Sequence, residues 1–161
     1  KAPAIVLKDA DIDLAVKAIL ASRVGNSGQI CNCAERVYVH SSIHAAFVEK
    51  ITAAMQAVRY GNPAEAAEGA LEMGPLIEAR AVEAVAEKVQ RAVAQGATLV
   101  CGGNRAPGKG YFFEPTVLTN VDHSMAIMQE ETFGRVLPIA IINTKDRLIA
   151  LYSDSVLVLS S

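Results

Sequence analysis

The stretch that decides the fold begins Ala4-Ile5-Val6-Leu7 and closes on Arg36-Val37-Tyr38-Val39-His40. Its first four residues are an unbroken apolar run, the pattern of a short strand buried in a parallel sheet. Asp9 and Asp11 follow as candidate N-cap and first-turn acids. Behind them Ile12, Ala15, Val16 and Ile19 recur at helical spacing, which predicts a helix to about Ser22. Gly25-Asn26-Ser27-Gly28-Gln29-Ile30-Cys31 then interrupts the period, and residues 36–40 alternate as a second strand.

The same alternation continues outward. Ser41 or Ser42 is placed to cap a helix whose apolar stripe is Phe47, Ile51, Ala54, Met55 and Val58, and Gly61-Asn62-Pro63 stops it. Residues 64–77 read as a loop containing Met73-Gly74-Pro75-Leu76. A third helix carries Val82, Val85, Ala86, Val89 and Val93 on one face and an i,i+4 pair, Glu87 with Arg91, on the other, with Gly96 as its stop. Residues 97–101, 112–118 and 136–142 read as further strands, and residues 145–152 as a short helix. Helices alternating with apolar strands predict an α/β fold, a largely parallel sheet flanked by helices.

Composition narrows the function classes. At 161 residues with 52% hydrophobic content the chain can bury a core, unlike a disordered polymer. Fifteen Lys+Arg against 17 Asp+Glu leave a formal charge of −2, so no positive field suits nucleic acid or a membrane surface, and neither is an expected partner. No run reaches the ~18–20 apolar residues of a membrane helix. Three cysteines, an odd number, and no export signal favour free thiols in a reducing compartment, and a cytoplasmic location is expected. The first residue is Lys1 rather than Met, which suggests processing or a segment of something longer.

Chemistry concentrates at two places. Cys31 lies in a glycine-containing loop between helix and strand, where a thiolate can be presented to a carbonyl; the plainer reading is a buried small hydrophobe. Cys31-Asn32-Cys33 with His40 or His44 lacks the second ligand pair of a structural zinc site, and no metal is expected. Neither Gly-x-Ser-x-Gly nor a glycine-rich phosphate loop occurs. The second place is Glu130-Glu131-Thr132-Phe133-Gly134, just before a strand. A carboxylate there suits ribose hydroxyls; otherwise it is a solvated turn with Phe133 packed inward.

Taken in order, these motifs resemble the aldehyde dehydrogenase superfamily. Gly28-Gln29-Ile30-Cys31 resembles its Gly-Gln-x-Cys nucleophile motif, and Glu131-Thr132-Phe133-Gly134 its Glu-x-Phe-Gly motif. Gly61-Asn62-Pro63, Met73-Gly74-Pro75-Leu76-Ile77, Gly102-Gly103 and Phe113-Glu114-Pro115-Thr116-Val117-Leu118 stand in the family's order, over about residues 1 to 150. Within the superfamily, Cys31-Asn32-Cys33-Ala34-Glu35-Arg36-Val37-Tyr38-Val39 is most similar to the lactaldehyde/glycolaldehyde dehydrogenase branch.

The resemblance implies Cys31 as catalytic nucleophile, passing through a thiohemiacetal and a thioester to a carboxylic acid. It implies Glu131 and Phe133 as cofactor-binding residues for NAD, with NADP as the secondary candidate, and Asn32 as a contact to the hydroxyl of a small hydroxyaldehyde. It also implies a homo-oligomer. The family's base lies in Glu-Leu-Gly-Gly-Lys, and Lys1 resembles the last residue of that motif. Residues 1–161 are therefore expected to be a partial catalytic domain, with the base motif and cofactor-binding domain upstream. The chain departs from the family at Arg135, usually Pro, at Gly25, usually apolar, and beyond Asp146. These departures motivate the alternative of an inactive remnant acting as a structural or interaction module.

Overall fold

The computed structural model describes residues 1–144; the helix expected at 145–152 lies outside the described residues. The described elements run β1 (Ala2–Val6), α1 (Ile12–Val24), β2 (Ala34–His40), α2 (Ser41–Gln56), α3 (Ala79–Ala94), β3 (Thr98–Cys101), β4 (Thr116–Thr119), α4 (Ala126–Gln129) and β5 (Val136–Ile142). They form one five-stranded sheet in the order β1-β2-β5-β4-β3. Pairings β1–β2, β2–β5 and β5–β4 are parallel, and β3 joins β4 antiparallel at the far edge. The predicted α/β fold with a mostly parallel sheet is the fold observed.

Period-two alternation sorts the side chains between two cores. Val37, Val39, Leu137 and Ile139 pack with Val16 and Ile19 of α1 and with Phe47, Ile51 and Met55 of α2. On the other face Tyr38, Val136, Ala140 and Ile142 pack with Val82, Val85, Val89 and Ala92 of α3. The sheet therefore has helices on both faces, as crossover connections between parallel strands require.

The element ends differ from the sequence reading for identifiable reasons. Asp11 is the N-cap of α1, its Oδ1 accepting from the Leu14 amide at 3.0 Å. The cap of α2 is His40 rather than Ser41 or Ser42: its Nδ1 accepts from the Ser42 amide at 3.2 Å. α2 ends at Gln56, short of Val58, because the next residues turn toward the following loop; Arg59 binds Glu72 and Tyr60 bridges to Met73. Arg91 pairs with Glu130 at 2.9 Å instead of Glu87, and Ala92, not Val93, completes the buried stripe of α3. Among the described residues β1 is an edge strand, and Ile5 within the apolar run stays 40% exposed. Of residues 112–118, only the last three fall within β4; Phe113 instead makes an isolated bridge with Arg105.

Candidate active site

β2 and β5 are hydrogen-bonded parallel neighbours, with Val37 opposite Ile139. The loops that enter them, residues 29–33 and 130–135, consequently emerge side by side at one edge of the sheet. These are the two places where the sequence concentrates chemistry.

The first loop is wound tightly. After Val24 the chain makes one 3-10 turn, Gly25–Gly28, in which Asn26 (φ 44°), Ser27 (φ 58°) and Gly28 (φ 75°) all lie in the left-handed region. Such a run is unfavourable for the two non-glycine residues and persists only where surrounding contacts fix it. Asn26 supplies a local clasp: its side-chain amide donates to the Gln29 carbonyl at 3.1 Å, while Gln29 Nε2 donates back to the Asn26 carbonyl at 3.2 Å. Ser27 Oγ donates to the Gly74 carbonyl at 2.9 Å and accepts from Arg135 Nη2 at 3.4 Å. Gln29 Oε1 takes the Ile77 amide at 2.9 Å, tying in the Met73–Ile77 segment singled out from the sequence.

Gly28 is required by contact as well as by φ. A Cβ on it would stand 2.2 Å from the Gly134 carbonyl oxygen. The two loops thus touch backbone to backbone, one from each predicted motif. Gly134 is constrained by packing alone: a Cβ there would stand 2.5 Å from a methyl of Val85 of α3.

Beyond this contact Cys31 and Asn32 are exposed on a turn, while Cys33 turns inward to 2% exposure. The plainer expectation of a buried Cys31 therefore fits its neighbour instead. Among the described residues no acceptor takes the Cys31 backbone N–H, leaving it available to an oxyanion. On the second loop Glu131 is exposed, and Phe133 is 41% exposed, not packed inward as the solvated-turn alternative required. Lys88 Nζ donates to the Glu131 carbonyl. Ala81, Ala84, Val85 and Lys88 of α3 join Glu131, Thr132 and Phe133 around a shallow cavity of about 160 Å³.

Sequence reasoning missed the charged side chains underneath. Arg23, Glu35, Arg36, Lys1 and Arg135 are each at most 2% exposed. Arg23 donates from Nη1 to Cys33 Sγ and from Nη2 to the Thr132 carbonyl, both at 2.9 Å. Glu35 Oε1 accepts from the Thr132 amide at 2.8 Å, and Lys1 Nζ stands 3.5 Å from Glu35 Oε2. Burial holds the Lys1 ammonium down to about pH 8 against the opposing pull of Glu35. Arg135, at the family's proline position, donates to the Phe113 carbonyl at 2.8 Å and lies over the rings of Tyr60 and Phe112. Burial likewise lowers its guanidinium to about 10. The signal for Arg23 was available: it continues the spacing of Ile12, Val16 and Ile19, a charge on a helix's core stripe.

Comparison with known proteins places the chain in a family. The family model described as "Aldehyde dehydrogenase family" matches residues 1–161. The chain is 55% identical to the lactaldehyde dehydrogenase of Escherichia coli K12 over 155 residues, covering 96% of this chain and 32% of that protein. It is 43% identical to a 3-sulfolactaldehyde dehydrogenase of Pseudomonas putida over 150 residues, 93% of this chain and 30% of that one. The crystal structure of E. coli lactaldehyde dehydrogenase superposes with a TM-score of 0.92 over 96% of this chain and 32% of its own. A 3,6-anhydro-L-galactose dehydrogenase in complex with NADP gives a TM-score of 0.91 at 40% identity, over 96% of this chain and 32% of its own. The chain spans about a third of the length of these relatives. With two family motifs packed against each other through Gly28 and Gly134, and a family match along its whole length, this chain belongs to the aldehyde dehydrogenase family.

Proposed function

We propose that this chain carries the nucleophile of an NAD(P)-linked dehydrogenase that oxidises a small hydroxyaldehyde to its carboxylic acid. The observation that carries the reading is the juxtaposition of an exposed Cys31 with an exposed Glu131 and Phe133 on adjacent loops, locked by the Gly28–Gly134 contact. The name of the 55% identical relative supports the choice of a lactaldehyde-like substrate.

In this reading the Cys31 thiolate adds to the aldehyde carbon, and the resulting oxyanion takes the free Cys31 amide, where a donor aimed at developing charge is most effective. Asn32, exposed on the same turn, offers its side-chain amide to the substrate hydroxyl. The residues at the second loop fit a nicotinamide cofactor. Glu131 is a solvated carboxylate suited to ribose hydroxyls, and Phe133 is an exposed ring suited to pack beside the nicotinamide end. When bound, NAD(P) supplies the hydride acceptor. Cys31 then holds the acyl group as a thioester until water releases the acid. The base that activates this water is proposed to lie upstream of Lys1. That placement is supported by β1, which begins at Ala2 opposite Ala34 and so brings Lys1 to the same sheet edge as Cys33 and Glu35. The cofactor-binding domain is proposed to lie upstream as well, and assembly as a homo-oligomer goes with the family.

The test is NAD(P)H formation from lactaldehyde by the full-length protein, by its Cys31→Ser variant and by residues 1–161 alone. The full-length protein is expected to turn over, and the variant to fall by at least about a thousandfold, as loss of a nucleophile does. The segment alone is expected to be inactive. An active Cys31→Ser variant, or robust turnover by the segment, contradicts the reading.

A further inference from the structure

Thr132, between the two exposed residues Glu131 and Phe133, is held by side chains that come from the other loop's flanks. Arg23, from the last turn of α1, donates to its carbonyl, and Glu35, from the start of β2, accepts its amide. Arg23 Nη1 also stands 4.0 Å from Glu35 Oε1, so the pair is joined to itself as well as to Thr132. The second prong of the guanidinium lands on Cys33 Sγ, two residues beyond Cys31. One fully buried side chain therefore grips both loops at once, with 0% of its surface exposed.

A guanidinium suits such a task because its donors diverge from a rigid plane; an ammonium of equal charge has no comparable fork. A buried ion pair is also a costly way to add stability, since two charges lose their hydration. Apolar residues at these positions would fill the core at less cost but give the Thr132 backbone no partner. What the pair supplies is a fixed offset between the loop bearing Cys31 and the loop bearing Glu131 and Phe133.

We infer that Arg23 is a positioning residue, which with Glu35 sets the register of the Glu131–Phe133 loop against the Cys31 loop and so governs cofactor affinity without touching cofactor or substrate. The inference rests on the function proposed above for Cys31, Glu131 and Phe133. It predicts a split effect. Removing Arg23 releases the Thr132 carbonyl and takes one of the two cationic neighbours of Glu35, Lys1 being the other, so the second loop loosens, while the Asn26–Gln29 clasp and the Ser27–Gly74 bond keep Cys31 on its turn.

The experiment compares full-length wild type with Arg23→Met and Arg23→Lys by hydrogen exchange, NAD(P) calorimetry and steady-state kinetics. In Arg23→Met, amides of residues 131–134 are expected to exchange about tenfold faster or more, while those of Val37, Val39 and Ile139 keep their rates. The Kd and KM for NAD(P) are expected to rise about tenfold, with the aldehyde KM and the alkylation rate of Cys31 changing less than about twofold. Arg23→Lys keeps the charge without the fork; it is expected to show the same split at smaller amplitude, and it decides the matter if Arg23→Met does not fold. Unchanged exchange at 131–134 overturns the inference. So does a loss of protection spread evenly through the sheet, with aldehyde and cofactor parameters moving together, which marks a purely structural role. If wild type oxidises no aldehyde, the proposed function fails by itself, while exchange and calorimetry still decide the role of Arg23.

Discussion

At Gly28 the backbone takes φ 75° and its Cα lies against the Gly134 carbonyl. Gly28→Ala adds one methyl to a site with no room and an unfavourable φ, so the loops must part. An activity loss of about a hundredfold is expected from the resulting misplacement, read as kcat/KM in the full-length protein. Near-wild-type kcat/KM would show that the contact does not matter. Lys1 makes a second prediction at this scale. Its folded value, about 8, lies below the ordinary 10.5. Between those values the unfolded chain binds the proton and the folded one does not, so this group adds stability as pH rises from about 8 toward 10.5. Below about 8 it is charged in both states and its burial penalty is fully felt. Lys1→Met is expected to flatten that part of the stability–pH curve relative to wild type, measured by urea unfolding; parallel curves would contradict it. Cys31 and the Glu131–Phe133 pair could be singled out in the sequence because each sits in a compact local motif, and the structure sets both exposed on adjacent loops. The partners of Arg23, Glu35 and Arg135 were not legible there, because Cys33, Thr132 and Phe113 come from other loops that local pattern cannot pair with them.

Among the elements, the helices were legible by period and poorly legible at their ends. The stripes of α1 and α2 fall where 3.6-residue spacing puts them, and Ile51, fully buried between α2 and the sheet, is the clearest case. Ile51→Ala is expected to cost about 2–5 kcal/mol, for lost transfer energy and the cavity left behind, seen as a lower urea midpoint at unchanged m-value. An end depends on one or two side-chain hydrogen bonds, and the residue supplying them need not be the commonest type. His40 caps α2 through Nδ1, although two serines follow it and serine is the usual cap. His40→Ala is expected to destabilise by about 1 kcal/mol and His40→Asn to restore most of it. If Ser42→Ala has the larger effect, the cap has been misassigned. The edge strands show the same limit: an apolar run such as Ala4-Ile5-Val6-Leu7 reads as buried, yet among the described residues β1 has a partner on one side only.

Across the whole molecule, alternating strands and helices were enough to give the fold class, because parallel pairing needs crossovers and crossovers here are helical. Strand order was not readable, since nothing local states that β5, last in the described chain, inserts between β2 and β4. That insertion brings the two candidate loops together: it sets the loop entering β5 beside the loop entering β2, with Lys1 one strand further along the same edge. The central claim, that Cys31 carries the substrate as a thioester, is tested most directly by trapping that intermediate. Full-length protein is mixed with lactaldehyde and NAD, quenched in acid within the first turnover and analysed by peptide mass spectrometry. An acyl adduct on Cys31, with Cys33 and Cys101 unmodified, is the predicted result. Turnover with the adduct on another residue, or with no acyl-enzyme at all under these conditions, would contradict it.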